Sequence, residues 1–100
     1  MEYEFRISGP VFEWRGPAPF YFVKIPTDQS SLIKSEANLL SYGWGVIPIH
    51  GQLGNTQFTT SLIPKDGSYL IPIKDSVRKS EQLELDDEVE ISFNLGKSNN

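Results

Sequence analysis

The chain has 100 residues, 38% of them hydrophobic, with six Phe, four Tyr, two Trp and no Cys; that suffices for one core, leaves no room for two domains, and excludes disulfides and thiol chemistry. Thirteen acidic side chains against nine basic ones give a net charge of −4, a field that opposes nucleic acid, whose affinity comes chiefly from Lys and Arg neutralising phosphates. The start, MEYEFR, lacks the basic, then apolar character of a signal peptide, and no apolar run approaches the ~20 residues of a membrane span, so a cytoplasmic protein is expected.

Residues 2–7 alternate, with Tyr3, Phe5 and Ile7 on one face and Glu2, Glu4 and Arg6 on the other, which is the pattern of a strand with one buried face. Gly9-Pro10 bends it, and Val11-Phe12 extends it. Trp14-Arg15-Gly16-Pro17-Ala18-Pro19 reads as a stiff loop, because two prolines and a glycine do not hold a ladder. Phe20 to Ile25 is aromatic and β-branched, a second strand stopped by Pro26. Asp28 or a neighbouring Ser caps a helix running to about Leu40, whose stripe is Leu32, Ile33, Ala37, Leu39 and Leu40, interrupted by Glu36. Gly43-Trp44-Gly45 ends it.

Val46 to Leu53 and Gln57 to Ile63 form a hairpin about Gly54-Asn55, and Pro64-Lys65-Asp66-Gly67 turns into a strand over 69–73. A short helix begins near Asp75. Leu85-Asp86-Asp87-Glu88 turns into the last strand, in which Val89, Ile91 and Phe93 face inward and Glu88, Glu90, Ser92 and Asn94 outward. The expected fold is mainly β: a small closed six-stranded β-barrel with two short helices, since closure removes edge strands and gives a short chain one interior. An open sheet with both helices on one face is the alternative. The domain spans 2–95, with 96–100 a flexible polar tail. Phe5, Ile7, Phe22, Leu39, Ile49, Leu62, Leu70, Val89 and Ile91 are expected in the core.

Two stretches resemble known families. Residues 71–78 and 83–91, with a strand, a short helix containing Val77-Arg78 and the turn Asp86-Asp87-Glu88-Val89-Glu90, resemble the swapped-hairpin barrels of the AbrB type. Asp86 stands where that pattern has Gly, so the turn is expected to avoid a positive φ. More broadly, Glu13 to Phe20, Gly43-Trp44-Gly45, Thr60-Ser61-Leu62-Ile63-Pro64 and Tyr69 to Lys74 running into Val77-Arg78 resemble the bacterial family called domain of unknown function 1905. That resemblance spans residues 2–95 and implies a small closed β-barrel, with no catalytic residues to carry over.

Catalysis is not expected. His50 is the single histidine; a neutral ring with one satisfied nitrogen is its simplest role, and a metal site needs more ligands of its kind. No nucleophile elbow is present. Neither a metal nor a cofactor is expected. The ligand-binding candidates are Trp14 and Arg15 on the stiff loop, Trp44 between glycines, and Lys74 and Arg78, which share a face if both are helical. Arg and Trp together suit an anionic or planar ligand; the competing reading has both indoles plugging the ends of a barrel. The expected function is a binding or interaction module for a small anionic ligand or a protein partner, as monomer or homodimer. The alternative is an AbrB-like nucleic-acid-binding regulator.

Overall fold

In a computed structural model of the chain, residues 3–15, 19–39 and 47–96 are described. The elements in chain order are β1 (Phe5–Pro10), β2 (Phe12–Arg15), β3 (Pro19–Lys24), α1 (Thr27–Leu39), β4 (Ile47–Leu53), β5 (Thr56–Lys65), β6 (Ser68–Ile73), α2 (Asp75–Ser80) and β7 (Glu88–Leu95). The seven strands form one antiparallel sheet in the order β1-β7-β4-β5-β6-β3-β2. No helix among the described residues is long and apolar enough to cross a membrane.

The fold is mainly β, but it is an open, curled half-barrel of seven strands rather than a closed barrel of six. The additional strand is β2. Proline and glycine after Arg15 suggested a loop from Trp14 onward, yet Phe12–Arg15 pairs with Phe22–Pro19. Pro19 is the first residue of β3, where a missing N–H is tolerated. The sheet ends on β1 and β2, which follow one another along the chain with Val11 between them. One pairs with β7 and the other with β3, so these edges do not close on each other.

Prolines locate the curl. Pro64 follows the point where β5 changes partner, from β4 over Thr56–Leu62 to β6 over Ile63–Lys65. Pro72 pairs with Phe22 beyond the end of the β5–β6 ladder, and Pro48 pairs with Ser61 beyond the last β4–β7 pair, Ile49 with Leu95. Among the described residues each of these prolines has one paired strand, and the bond that the Pro48 carbonyl accepts from the Gly96 N–H at 2.7 Å needs no proline N–H.

The concave side holds the core. Ile7, Val11, Val23, Ile25, Ile49, Leu62, Ile71, Ile91 and Phe93 are buried there, and Phe5 stacks on Phe93 at 5.3 Å. Every expected core residue with a described side chain is buried; that of Leu39 lies outside the description. Phe22 and Leu70 are buried away from the main cluster. Among the described side chains of α1 the buried stripe is Ser30, Ile33 and Ala37, while Leu32 is exposed. Ser30 Oγ donates to the Ile25 carbonyl and accepts the Tyr69 N–H, tying the helix to the exits of β3 and the start of β6. The helix starts at Thr27, so Asp28 lies inside its first turn, where a carboxylate complements the helix dipole.

Asp86 corrects a second expectation. It adopts φ 70°, the left-handed region that Asp enters more readily than most residues. Its N–H donates to the Val11 carbonyl at 2.8 Å, and the Val11 N–H donates to the Asp87 carbonyl at 2.9 Å. This turn thus clamps the junction between the two edge strands. The Lys65-Asp66-Gly67-Ser68 connection likewise has both central residues at positive φ, 52° and 81°, as a two-residue hairpin of the twist-matched type requires.

Candidate functional site

The β2–β3 hairpin builds an aromatic face. Strand alternation and the pairs Phe12–Phe22 and Trp14–Phe20 put these four rings on one side of the sheet, leaving Tyr21 and Val23 toward the core. Phe22 is buried at the centre, with the centroids of Phe12, Trp14 and Phe20 at 5.9, 6.0 and 6.5 Å. Trp14 and Phe20 remain 45% and 59% exposed. The Lys65 ammonium lies 3.4 Å from the Trp14 ring centroid, a cation–π contact worth ~0.5–1 kcal/mol at an exposed site. No carboxylate ion pair of Lys65 occurs among the described residues.

Of the sequence candidates whose side chains are described, Trp14 and Arg78 do not come together. Trp14 is on the face described. Arg15 ends β2, but its side chain and the whole of Trp44 lie outside the described residues. Lys74 precedes α2 in extended conformation, φ −68° and ψ 152°, so it and Arg78 do not share a helical face. Arg78 turns elsewhere: its guanidinium stacks 4.4 Å from the Tyr21 centroid, and its Nη2 reaches Asp75 Oδ1 at 3.5 Å. Its Nε is buried with no hydrogen-bond partner. Lys65, the cation that does sit on an indole, carries only a turn signal in the sequence. Nothing local marks it, because the contact depends on how the sheet curls.

A groove of about 560 Å³ opens at the β1–β7–β4 side, lined among others by Tyr3, Arg6, Glu81, Glu88 and Glu90. Its carboxylates oppose an anion. Arg6 is engaged by Glu90 at 3.8 Å, and Glu81 accepts the Asn55 N–H at 3.3 Å and the Thr56 hydroxyl at 2.5 Å, stapling the end of α2 to the β4–β5 turn. His50 shares a 3.0 Å hydrogen bond between Nδ1 and the Gly96 carbonyl, so one ring nitrogen is satisfied.

A carboxyl pair joins the approach to β1 and the last turn of α1. Hydrogen bonding to Glu36, then partial desolvation, then repulsion from the Glu36 charge raise the Glu4 pKa above its ordinary value. The folded chain therefore holds this proton more tightly than the unfolded chain. The pair works against the fold at neutral pH, and that penalty is relieved as pH falls through the raised pKa. Glu36 also sits at the negative end of the helix dipole, with no basic residue in that turn. Glu36→Gln should raise the melting temperature at neutral pH, and the gain should shrink toward about pH 4. Thermal melts of both chains at the two pH values decide it: an equal gain at both would show that the carboxyl pair is not the cause.

A family model described as Domain of unknown function (DUF1905) matches residues 8–93. No curated protein matches the chain.

Proposed function

The chain belongs to the family of that domain of unknown function, whose description carries no activity, and we propose that it is a small binding module that docks an anionic group attached to a flat apolar body, on a small ligand or a protein partner. The observation behind this reading is the exposed Trp14–Phe20 pair with the Lys65 ammonium against the indole. Exposed aromatic area on the β2–β3 hairpin, beside a cation at the end of β5, supplies stacking and charge together. The AbrB-like resemblance keeps a nucleic-acid regulator as the alternative: Asp86 takes the left-handed conformation at the position where that pattern has Gly, but likeness of fold is weak support for function.

¹⁵N–¹H spectra test the two readings. Phenyl phosphate should shift the Trp14 indole N–H, assigned by its disappearance in Trp14→Phe, and the Lys65 amide; Lys65→Ala should weaken the response several-fold. Inorganic phosphate and phenol, each offering half of the recognition, should act more weakly. Shifts confined to other surfaces would overturn the proposal. Shifts caused only by a short DNA duplex, and lost as salt is raised, would favour the regulator.

A further inference from the structure

The middle of the Trp14 indole is already taken. The Lys65 ammonium lies 3.4 Å from the ring centroid, close to the ~3.5–4.0 Å at which the carbon atoms of a stacked body would sit. A cation and a flat ligand cannot both occupy that place. Phe22, buried, packs 6.0 Å from the indole at a tilt of 55°, and Phe20 stands directly across the hairpin, 59% exposed. A ligand that lies over the indole centroid and reaches Phe20 therefore has to move the ammonium.

What must move is loosely held. Lys65 is exposed at the last position of β5, and it has no carboxylate ion pair among the described residues. A cation–π contact at an exposed site corresponds to about a two- to five-fold change in an equilibrium. A neutral aromatic body forfeits that contact and returns nothing for it. An aryl cation finds the cation's place on the ring filled and meets repulsion as well. An aryl anion differs, because the ammonium leaves the ring for a new partner on the ligand.

Resting on the ligand class proposed above, we infer that Lys65 is a removable cap on Trp14 and that the cap sets the selectivity of the face. It disfavours neutral and cationic aromatic bodies and yields to anionic ones. The discrimination is a difference in displacement cost, not an added contact. The exchange requires no movement of the strands, since the four-carbon stem of lysine is flexible.

Lys65→Gln removes the charge and keeps a side chain of similar reach. ¹⁵N–¹H titrations of both chains, followed at the Trp14 indole N–H, read the cap with three probes. Benzyl alcohol should bind the variant about two- to five-fold more tightly. Benzylammonium should gain more, since the vacated ring accepts its cation. Phenyl phosphate should bind the variant several-fold more weakly. Without any ligand, the Lys65 ε-methylene protons, assigned by their absence in the variant, should lie upfield of the ordinary lysine position through the ring current of the indole. Circular dichroism checks the fold of the variant. Ordinary positions for these protons, or a variant that binds the neutral and cationic probes no better, would overturn the inference whatever phenyl phosphate does. An upfield shift with tighter benzyl alcohol binding supports the cap even where phenyl phosphate leaves the indole unmoved, a result that would sink the proposed ligand class alone.

Discussion

Gly51→Ala is expected to destabilise the fold severely, by ~3 kcal/mol or more. Gly51 lies mid-way along β4, opposite Phe93 of β7 and Phe58 of β5, and it faces the core. A Cβ there would lie against the Ser92 carbonyl oxygen, 2.7 Å from Phe93 Cβ and 3.0 Å from its Cα. These are backbone and near-backbone atoms of a paired strand, so no side-chain tip can swing aside. Relief requires β4 and β7 to separate, which breaks the ladder that joins β1 and β7 to the rest of the sheet. Overpacking a core typically costs ~1–3 kcal/mol. This contact belongs at or beyond the upper end, out of ~5–15 kcal/mol for a whole domain. Gly67→Ala makes the contrast: nothing lies within 4 Å of its Cβ position, but its φ is +81°, so the left-handed backbone costs only ~1–2 kcal/mol. Urea denaturation separates the two. Similar midpoints would mean that β4 and β7 do not approach as described.

How much of this was legible in the sequence depended on the range of the cause. The β7 facing could be read directly, because Val89, Ile91 and Phe93 alternate with polar residues and the burial follows that period. The turn at Asp66-Gly67 was equally local. β2 could not be read, because prolines and glycine just beyond it point to a loop and its pairing comes from β3. The permitted places of Pro48, Pro64 and Pro72 follow from where strands change partner, which no short window contains. Leu32 left the expected stripe of α1 for a similar reason: the helix meets the sheet along Ser30, Ile33 and Ala37, leaving Leu32 outside.

The candidate site divides in the same way. An indole next to a proline-rich segment invites a role, and Trp14 is exposed. The side chain of Arg15 lies outside the described residues, and the cation against the indole among the described residues is Lys65. The spacing of Lys74 and Arg78 implies a shared face only if both are helical, whereas α2 begins at Asp75 and Arg78 stacks on Tyr21. Spacing along a helix predicts neighbours only where the helix has already formed. Cross-strand neighbours of an aromatic come from register, which a sequence specifies only through its turns and its buried face.

Phe93→Ala should give the second-largest loss, ~3–5 kcal/mol. Phe93 is fully buried, stacks on Phe5 with an interplanar angle of 18°, and pairs with Phe5 of β1 on one side and Gly51 of β4 on the other. Its ring therefore fills the space over the glycine, and truncation leaves a void that neither neighbour can occupy: Gly51 has no side chain, and Phe5 already lies against the other face. Glu90 is the control on the same strand. It points outward, and its contact with Arg6 at 3.8 Å joins side chains 63% and 73% exposed, so Glu90→Ala should change stability by no more than ~0.5 kcal/mol. Thermal or urea unfolding of both variants measures the difference directly. If Glu90→Ala cost as much as Phe93→Ala, the facing of β7 would be wrong, and with it the stacked Phe5–Phe93 pair that anchors the β1 edge to the core.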